Sequence, residues 1–320
     1  MLLAEPATTG VLRRHSWWMR ALQAVVLVGA AYYLVDKQIA PHWPEISARQ
    51  FAWQPAPLIL GSVVVLATLT VLLGAWITSL RWCAVRITAL DAAKVWFTAN
   101  LARFLPGGVW QFASLAVMSS RYGMSTAAAT ATVLLEQIVL LITGLAVVAV
   151  FTPTVLQASW WQAALVVGII LGVVLLALPR REARLGRWLG RYVPSLNQVW
   201  SQLGARHLLL FFVILIAPWL MYGTAFRFLA VGLLGEGSAS VGASWGFYIA
   251  AFTGSYLAGV IAVFAPAGLF VREAAMIGVL TPVIGGADAA ILAVASRIWL
   301  TALEIFAGII VLALPSTPSA

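Results

Sequence analysis

Residues 58–80, LILGSVVVLATLTVLLGAWITSL, contain no charged side chain, and that run restricts what the chain can fold into. A bilayer's hydrocarbon core is about 30 Å thick, and a helix of roughly 20 apolar residues crosses it. Comparable apolar runs occur at residues 21–35, 126–151, 165–178, 208–234 and 287–314. They predict six full membrane spans. Charged residues make up 9% of the chain and hydrophobic ones 62%, whereas a soluble domain carries about a quarter charged residues. No polar stretch is long enough for a separate soluble domain, so residues 1–320 are read as one all-α, polytopic membrane domain.

Composition also removes several kinds of chemistry. A single cysteine, Cys83, cannot close an intramolecular disulfide, and His15, His42 and His207 are too scattered to assemble a zinc site. No cofactor or metal is expected. The net charge of +9 does not point to nucleic acid, because the arginines cluster in short loops beside apolar spans.

Those arginines set a topology. Arg13, Arg14 and Arg20, with Trp17 and Trp18, flank the first span and place the start of the chain in the cytoplasm. That span is followed by Asp36 and Lys37 and not by a small-residue cleavage site, so it is read as uncleaved. Residues 36–57 form an external loop, and Arg81 and Arg86 mark the return to the inside. Trp160 and Trp161 close an uncharged external loop, and the basic segment 179–206, which contains RREARLGRWLGRY, is cytoplasmic. Residues 235–242 are outside, and both termini are cytoplasmic.

Two interruptions organise the polar residues. Residues 91–105 are helical in pattern but cover only some 22 Å at about 1.5 Å per residue, and Pro106, Gly107 and Gly108 follow at once. This predicts a re-entrant hairpin whose second arm returns to about Tyr122. Lipid tolerates such a break only where protein or a water-filled cavity satisfies the freed backbone. A second break, FAPAGLFVRE, aligns with the first at a constant offset: Phe104 with Phe264, Pro106 with Pro266, Gly108 with Gly268, then Ala127 with Ala287 and Ile138 with Ile298. The match predicts two repeats of approximately 58–151 and 208–314. Three spans separate the hairpins, and that odd number makes the second copy inverted. Residues 243–264 are also long enough to cross fully, in which case both copies hold full spans and the parity survives.

The helix after each turn begins with N–H groups that have no intrahelical partner, and such ends attract anions. Opposed hairpins bring these ends together near the midplane, as in transporters with broken helices. Around them fall the intramembrane ionisable residues Arg103, Glu136, Arg272, Glu273, Arg297 and Glu304. With Pro106, Gly107, Gly108, Gln111, Pro266 and Gly268 they make up the candidate substrate-binding set. Arginine suits phosphate through its planar fork of donors, and the glutamates balance the arginines or handle a proton or an amine. The plainer reading is that Arg and Glu pair to lock helices. Arg227 is read as snorkelling to the outer interface and Asp288 as a first-turn residue of the last helix.

ARFLPGGVWQFASLAVMSSRYGMS with LLEQ, and PAGLFVREAAM at Pro266 to Met276, resemble the flippase-like membrane family related to the transmembrane region of lysylphosphatidylglycerol synthases. The resemblance spans about residues 15–314. It implies a bacterial inner-membrane protein that moves a lipid across the bilayer, with the Pro-Gly-Gly, Glu136, Arg272 and Glu273 positions matching the family's polar motifs. The chain departs from the family in two respects. It carries no soluble aminoacyltransferase domain, and it reads Pro266-Ala267-Gly268-Leu269-Phe270 where the family more often has Pro-Gly-Gly-x-Gly.

The expected function is translocation of a phosphate-containing or aminoacylated lipid, without enzymatic activity. Its partner is a membrane lipid and not nucleic acid, and a homodimer is allowed. Two alternatives stay open: a membrane-embedded enzyme acting on polyprenyl-phosphate lipids with Glu136 or Glu273 as base, or an accessory partner of a glycosyltransferase.

Overall fold

A computed structural model of the protein describes residues 28–29, 31–104, 110–151, 205–235, 244–262 and 265–315. The expected turn at Pro106, Gly107 and Gly108, the span around 165–178, residues 152–204 of the external and basic loops, and most of the first span lie outside these residues. Eight longer helices carry the described architecture. They are α1 (Pro55–Trp82), α2 (Ala89–Ala102), α3 (Trp110–Arg121), α4 (Thr126–Phe151), α5 (Ala205–Leu234), α6 (Trp245–Ile261), α7 (Val271–Ile284) and α8 (Gly286–Ala313).

Four of them, α1, α4, α5 and α8, are long and apolar enough to cross a bilayer. Apolar side chains stand on exposed as well as buried faces: Val65 and Leu80 of α1 are buried, yet Val63 of the same helix, Val213 of α5, and Ile298 and Ile309 of α8 are more than half exposed. A helix with that distribution faces lipid on one side and protein on the other. The chain is an integral membrane protein.

Local sequence explains the ends of these elements. Pro55 starts α1, where its missing N–H costs nothing. Thr88 caps α2 by accepting from the Asp91 N–H at 3.1 Å. Ser125 Oγ accepts from the Ala128 N–H at 3.4 Å just before α4. One expectation changes. Residues 36–57 are not a plain loop, because helical turns run through Tyr33–Ile39, Ala40–His42 and Trp43–Ala48. Their apolar side chains Ile39 and Ile46 pack onto the α5–α8 core, and the Gln38 side chain donates to the Ala274 carbonyl at 3.3 Å. Tertiary contact supplies the order that a mixed polar sequence does not announce.

The short helices come in two pairs. α2 and α3, of 14 and 12 residues, pack against each other, as do α6 and α7, of 17 and 14. At about 1.5 Å per residue none is longer than roughly 26 Å. The long helix after each pair reaches across to the other: α4 packs on α6, and α8 packs on α2. α1 and α5 lie together between them. Gly223 of α5 permits one close crossing, since a Cβ there would fall 2.5 Å from the Ile249 backbone.

Contacts group the ends of the helices. Ala52 and Gln54 donate their N–H groups to the carbonyls of Leu233 and Gly232, while Arg49 pairs with Asp288 at 3.1 Å. Asp288 does lie in the first turn of the last helix, as read, but it also ties that turn to the segment before α1. Away from this end, Lys94 Nζ donates to the Leu314 carbonyl at 2.6 Å.

Candidate functional site: a charged cleft between the helix pairs

α2 ends at Ala102, and Arg103 directly follows it as the cap residue. Its Nη2 donates to both carboxylate oxygens of Glu304 on α8, at 2.7 and 2.6 Å. The guanidinium also lies 5.1 Å from the Phe104 ring centroid. A bifurcated, charge-assisted contact of this kind is strong and directional, and it clasps the end of α2 to α8.

The other pair reaches the same place through a turn unlike any regular one. Ala267, Gly268 and Phe270 all have positive φ, at 49°, 66° and 67°. Gly268 is required there twice over, because a Cβ would sit 2.7 Å from the Gly259 Cα as well as in left-handed backbone. Arg297 of α8 braces the turn. Its Nη1 donates to the Ala267 carbonyl at 3.0 Å and lies 3.5 Å from Glu273 Oε1. α7 then begins without a side-chain cap on its first N–H groups.

Arg272, in the first turn of α7, is 7% exposed. Its guanidinium stands over Phe252 at 4.8 Å and Tyr256 at 5.4 Å, both on α6. Its Nη2 is buried with no hydrogen-bond partner, and among the described residues no carboxylate lies within ion-pair range of it. Glu136, midway along α4 and 3% exposed, likewise has no ion pair among the described residues. Ionised groups held in an apolar interior are costly unless paired. Among the described residues, Arg272 and Glu136 are the charged side chains lining the cleft without an ion pair, and behind it Glu273 has its 3.5 Å ion pair with Arg297 but no hydrogen-bond donor on either buried oxygen.

All of this surrounds one cleft. Its larger part has a volume of about 480 Å³, within the range of roughly 300–1,000 Å³ typical of small-molecule sites. A narrower part, continuous with it, shares Arg103, Gln111, Tyr256, Arg272, Leu300 and Glu304. Glu136 lines the narrower part, and Gly268 and Arg297 line the larger.

Of the residues singled out from sequence, the cleft brings together Arg103, Gln111, Glu136, Gly268, Arg272, Arg297 and Glu304. Glu273 stands behind it, buried beside Arg297 and off the lining. Pro266 opens the turn, and Pro106, Gly107 and Gly108 are outside the described residues. Arg227 is away from the cleft. It is held by rings of α6, 4.6 Å from Trp245 and 6.0 Å from Tyr248, where simple snorkelling was expected. Tyr222, Phe252, Tyr256 and Gln137 line the cleft without having been anticipated. Gln137 adjoins Glu136 in sequence, a signal that was available. The aromatic residues arrive from α5 and α6, and nothing local distinguishes them from the other rings of an aromatic-rich chain.

Among curated proteins, none matches the chain. The family model described as the lysylphosphatidylglycerol synthase TM region matches residues 20–318. That match takes in both helix pairs and every described residue of the cleft, and the chain belongs to this family.

Proposed function

We propose that the protein translocates a phosphate-bearing lipid across the bacterial inner membrane, its headgroup passing through the cleft while its tails remain in the bilayer. The observation that carries this reading is Arg272, a buried guanidinium facing a cavity with donor capacity left over. A phosphate oxygen fits such a group in charge and geometry. The Arg103–Glu304 clasp and Arg297, which donates to the Ala267 carbonyl, shape the walls. In this reading the chain is not an enzyme. The cleft binds and moves a headgroup without altering it.

The same proposal takes α2–α3 and α6–α7 as two opposed re-entrant hairpins within inverted repeats, in a fold of six full spans. The reciprocal packing of α4 on α6 and α8 on α2 supports it. Both termini are assigned to the cytoplasm, in keeping with Arg81 and Arg86 at the end of α1. In a Cys83→Ala background, a cysteine introduced at Arg184 is expected to resist an impermeant thiol reagent applied from outside. Labelling there would reverse the orientation.

The direct test is transbilayer movement of fluorescent lipids in liposomes holding the purified protein. An anionic phospholipid, an aminoacylated one and a short polyprenyl phosphate would be compared, with the Arg272→Ala variant beside the wild type. Movement of one class that the variant loses is the expected result. Failure of folded protein to move any of them would overturn translocation and return attention to an enzyme or accessory role.

A further inference from the structure

The cleft sets a limit on the charge of what it can admit, and that limit deepens the translocation reading on which it rests. Among the described residues three cations line the cleft, Arg103, Arg272 and Arg297. Two of them are already matched. Arg103 donates to both oxygens of Glu304, at 2.7 and 2.6 Å. Arg297 lies 3.5 Å from Glu273 Oε1, and its Nη1 donates to the Ala267 carbonyl. Arg272 has no carboxylate within ion-pair distance among the described residues. Glu136, Tyr222 and Tyr256, the other ionisable side chains of the lining, add no positive charge whether neutral or ionised. The surplus is therefore no more than one positive charge.

The setting of Arg272 decides the shape of its partner. Phe252 and Tyr256 stand 4.8 and 5.4 Å from its guanidinium, and rings hold a cation without taking its in-plane donors. The residue lines both parts of the cleft. A guanidinium edge pairs two parallel N–H groups with two oxygens that share one negative charge. A phosphodiester offers that match, with two non-bridging oxygens and a single charge. A phosphomonoester carries about −1.5 to −2 near neutral pH, and a diphosphate carries more. The excess would enter an apolar interior with no cation to meet it, and a buried charge without a partner is costly. The first turn of α7, where Arg272 stands, has no side-chain cap and adds roughly half a positive charge at its N–H groups, short of a second cation.

We infer that the protein selects lipids whose headgroup is joined through a singly charged phosphodiester and rejects phosphomonoester and diphosphate lipids. Two kinds of lipid share that chemistry: diacylglycerol phospholipids, and polyprenyl phosphates esterified to a sugar. The charge of the cleft does not separate them, because the tails stay outside it.

The test uses liposomes near about pH 8, where a monoester is doubly charged, with the full chain inserted and protein-free liposomes as background. Fluorescent lipids are compared in two matched pairs. Phosphatidylglycerol and phosphatidic acid differ only in the glycerol that makes the first a diester. A short polyprenyl phosphohexose and the bare polyprenyl phosphate differ likewise in the sugar. In one pair or both, the wild type is expected to move the diester about tenfold faster than the monoester, or more, and the pair that responds identifies the tail. Glu304→Gln frees Arg103 to act as a second cation, so it is expected to raise monoester movement and narrow the ratio toward one. A merely structural loss would slow both lipids together, and should the variant fail to fold, the wild-type ratio decides alone. Diester and monoester moving equally in both pairs, or the monoester moving faster, would overturn the one-charge limit and leave translocation standing. Folded Glu304→Gln that still rejected the monoester would overturn the charge count as its cause. No movement of any of these lipids would overturn translocation and this inference together.

Discussion

Arg103 at the end of α2 and Arg272 at the start of α7 line the same cleft, yet they are held in opposite ways. Arg103 gives one nitrogen to both oxygens of Glu304. Arg272 rests on the faces of Phe252 and Tyr256 and has a buried nitrogen with nothing to bond. Rings stabilise a cation without consuming its in-plane donors, whereas a carboxylate consumes them. One arginine is therefore a clasp between helices. The other is held in position with its hydrogen-bonding capacity unspent, which is what a binding site for an anion requires.

The sharpest way to break that comparison is to remove the clasp. Arg103→Ala leaves Glu304 half of a severed pair, and thermal unfolding in detergent should show a loss of about 3 kcal/mol. Pairing it with Glu304→Leu should recover most of that loss. Equal stability of Arg103→Ala and wild type would mean that the contact is not a clasp. Arg272→Ala should do the reverse. Stability stays close to wild type, because an uncompensated buried charge is removed, while lipid movement falls by roughly 10- to 100-fold, the worth of a charge-assisted bond of about 1.5–3 kcal/mol. A variant that unfolded while its surviving fraction moved lipid normally would make Arg272 structural. Gly268→Ala probes the second turn itself. Left-handed backbone and the Gly259 contact make it costly by about 1–3 kcal/mol. Because Arg297 braces the neighbouring carbonyl, part of that cost should reappear as weakened lipid movement. Wild-type melting of Gly268→Ala would show that the turn has room to relax.

The turn expected at Pro106–Gly108 and the turn observed at Pro266–Gly268 differ in how plainly their sequences declare them. The first carries Pro106, Gly107 and Gly108, residues whose backbone preferences are local and strong. The second has only Pro266 and Gly268, and it places Ala267 and Phe270 in left-handed backbone that neither residue favours alone. What compensates is tertiary: Arg297 on the Ala267 carbonyl, and Gly259 yielding space to Gly268. A departure from a Gly-rich turn is therefore accommodated by a helix some thirty residues further along the chain.

Much of this protein is determined by sequence alone, because its solvent is legible there. Long apolar runs fix α1, α4, α5 and α8 to within a few residues, Thr88 and Ser125 mark helix starts through bonds that span three residues, and Pro55 marks one through its fixed backbone. The same logic marks Arg103, Glu136, Arg272, Glu273, Arg297 and Glu304 as notable, since a charge in an apolar run is expensive wherever the chain goes. Which charge meets which is another matter. The pairing of Arg103 with Glu304, the rings beneath Arg272 and, among the described residues, the lack of an ion pair for Glu136 depend on α2, α4, α6, α7 and α8 converging. Hydropathy and capping act within a helical turn and are written locally. Ion pairing acts between side chains distant in sequence, and only the packed helices decide it.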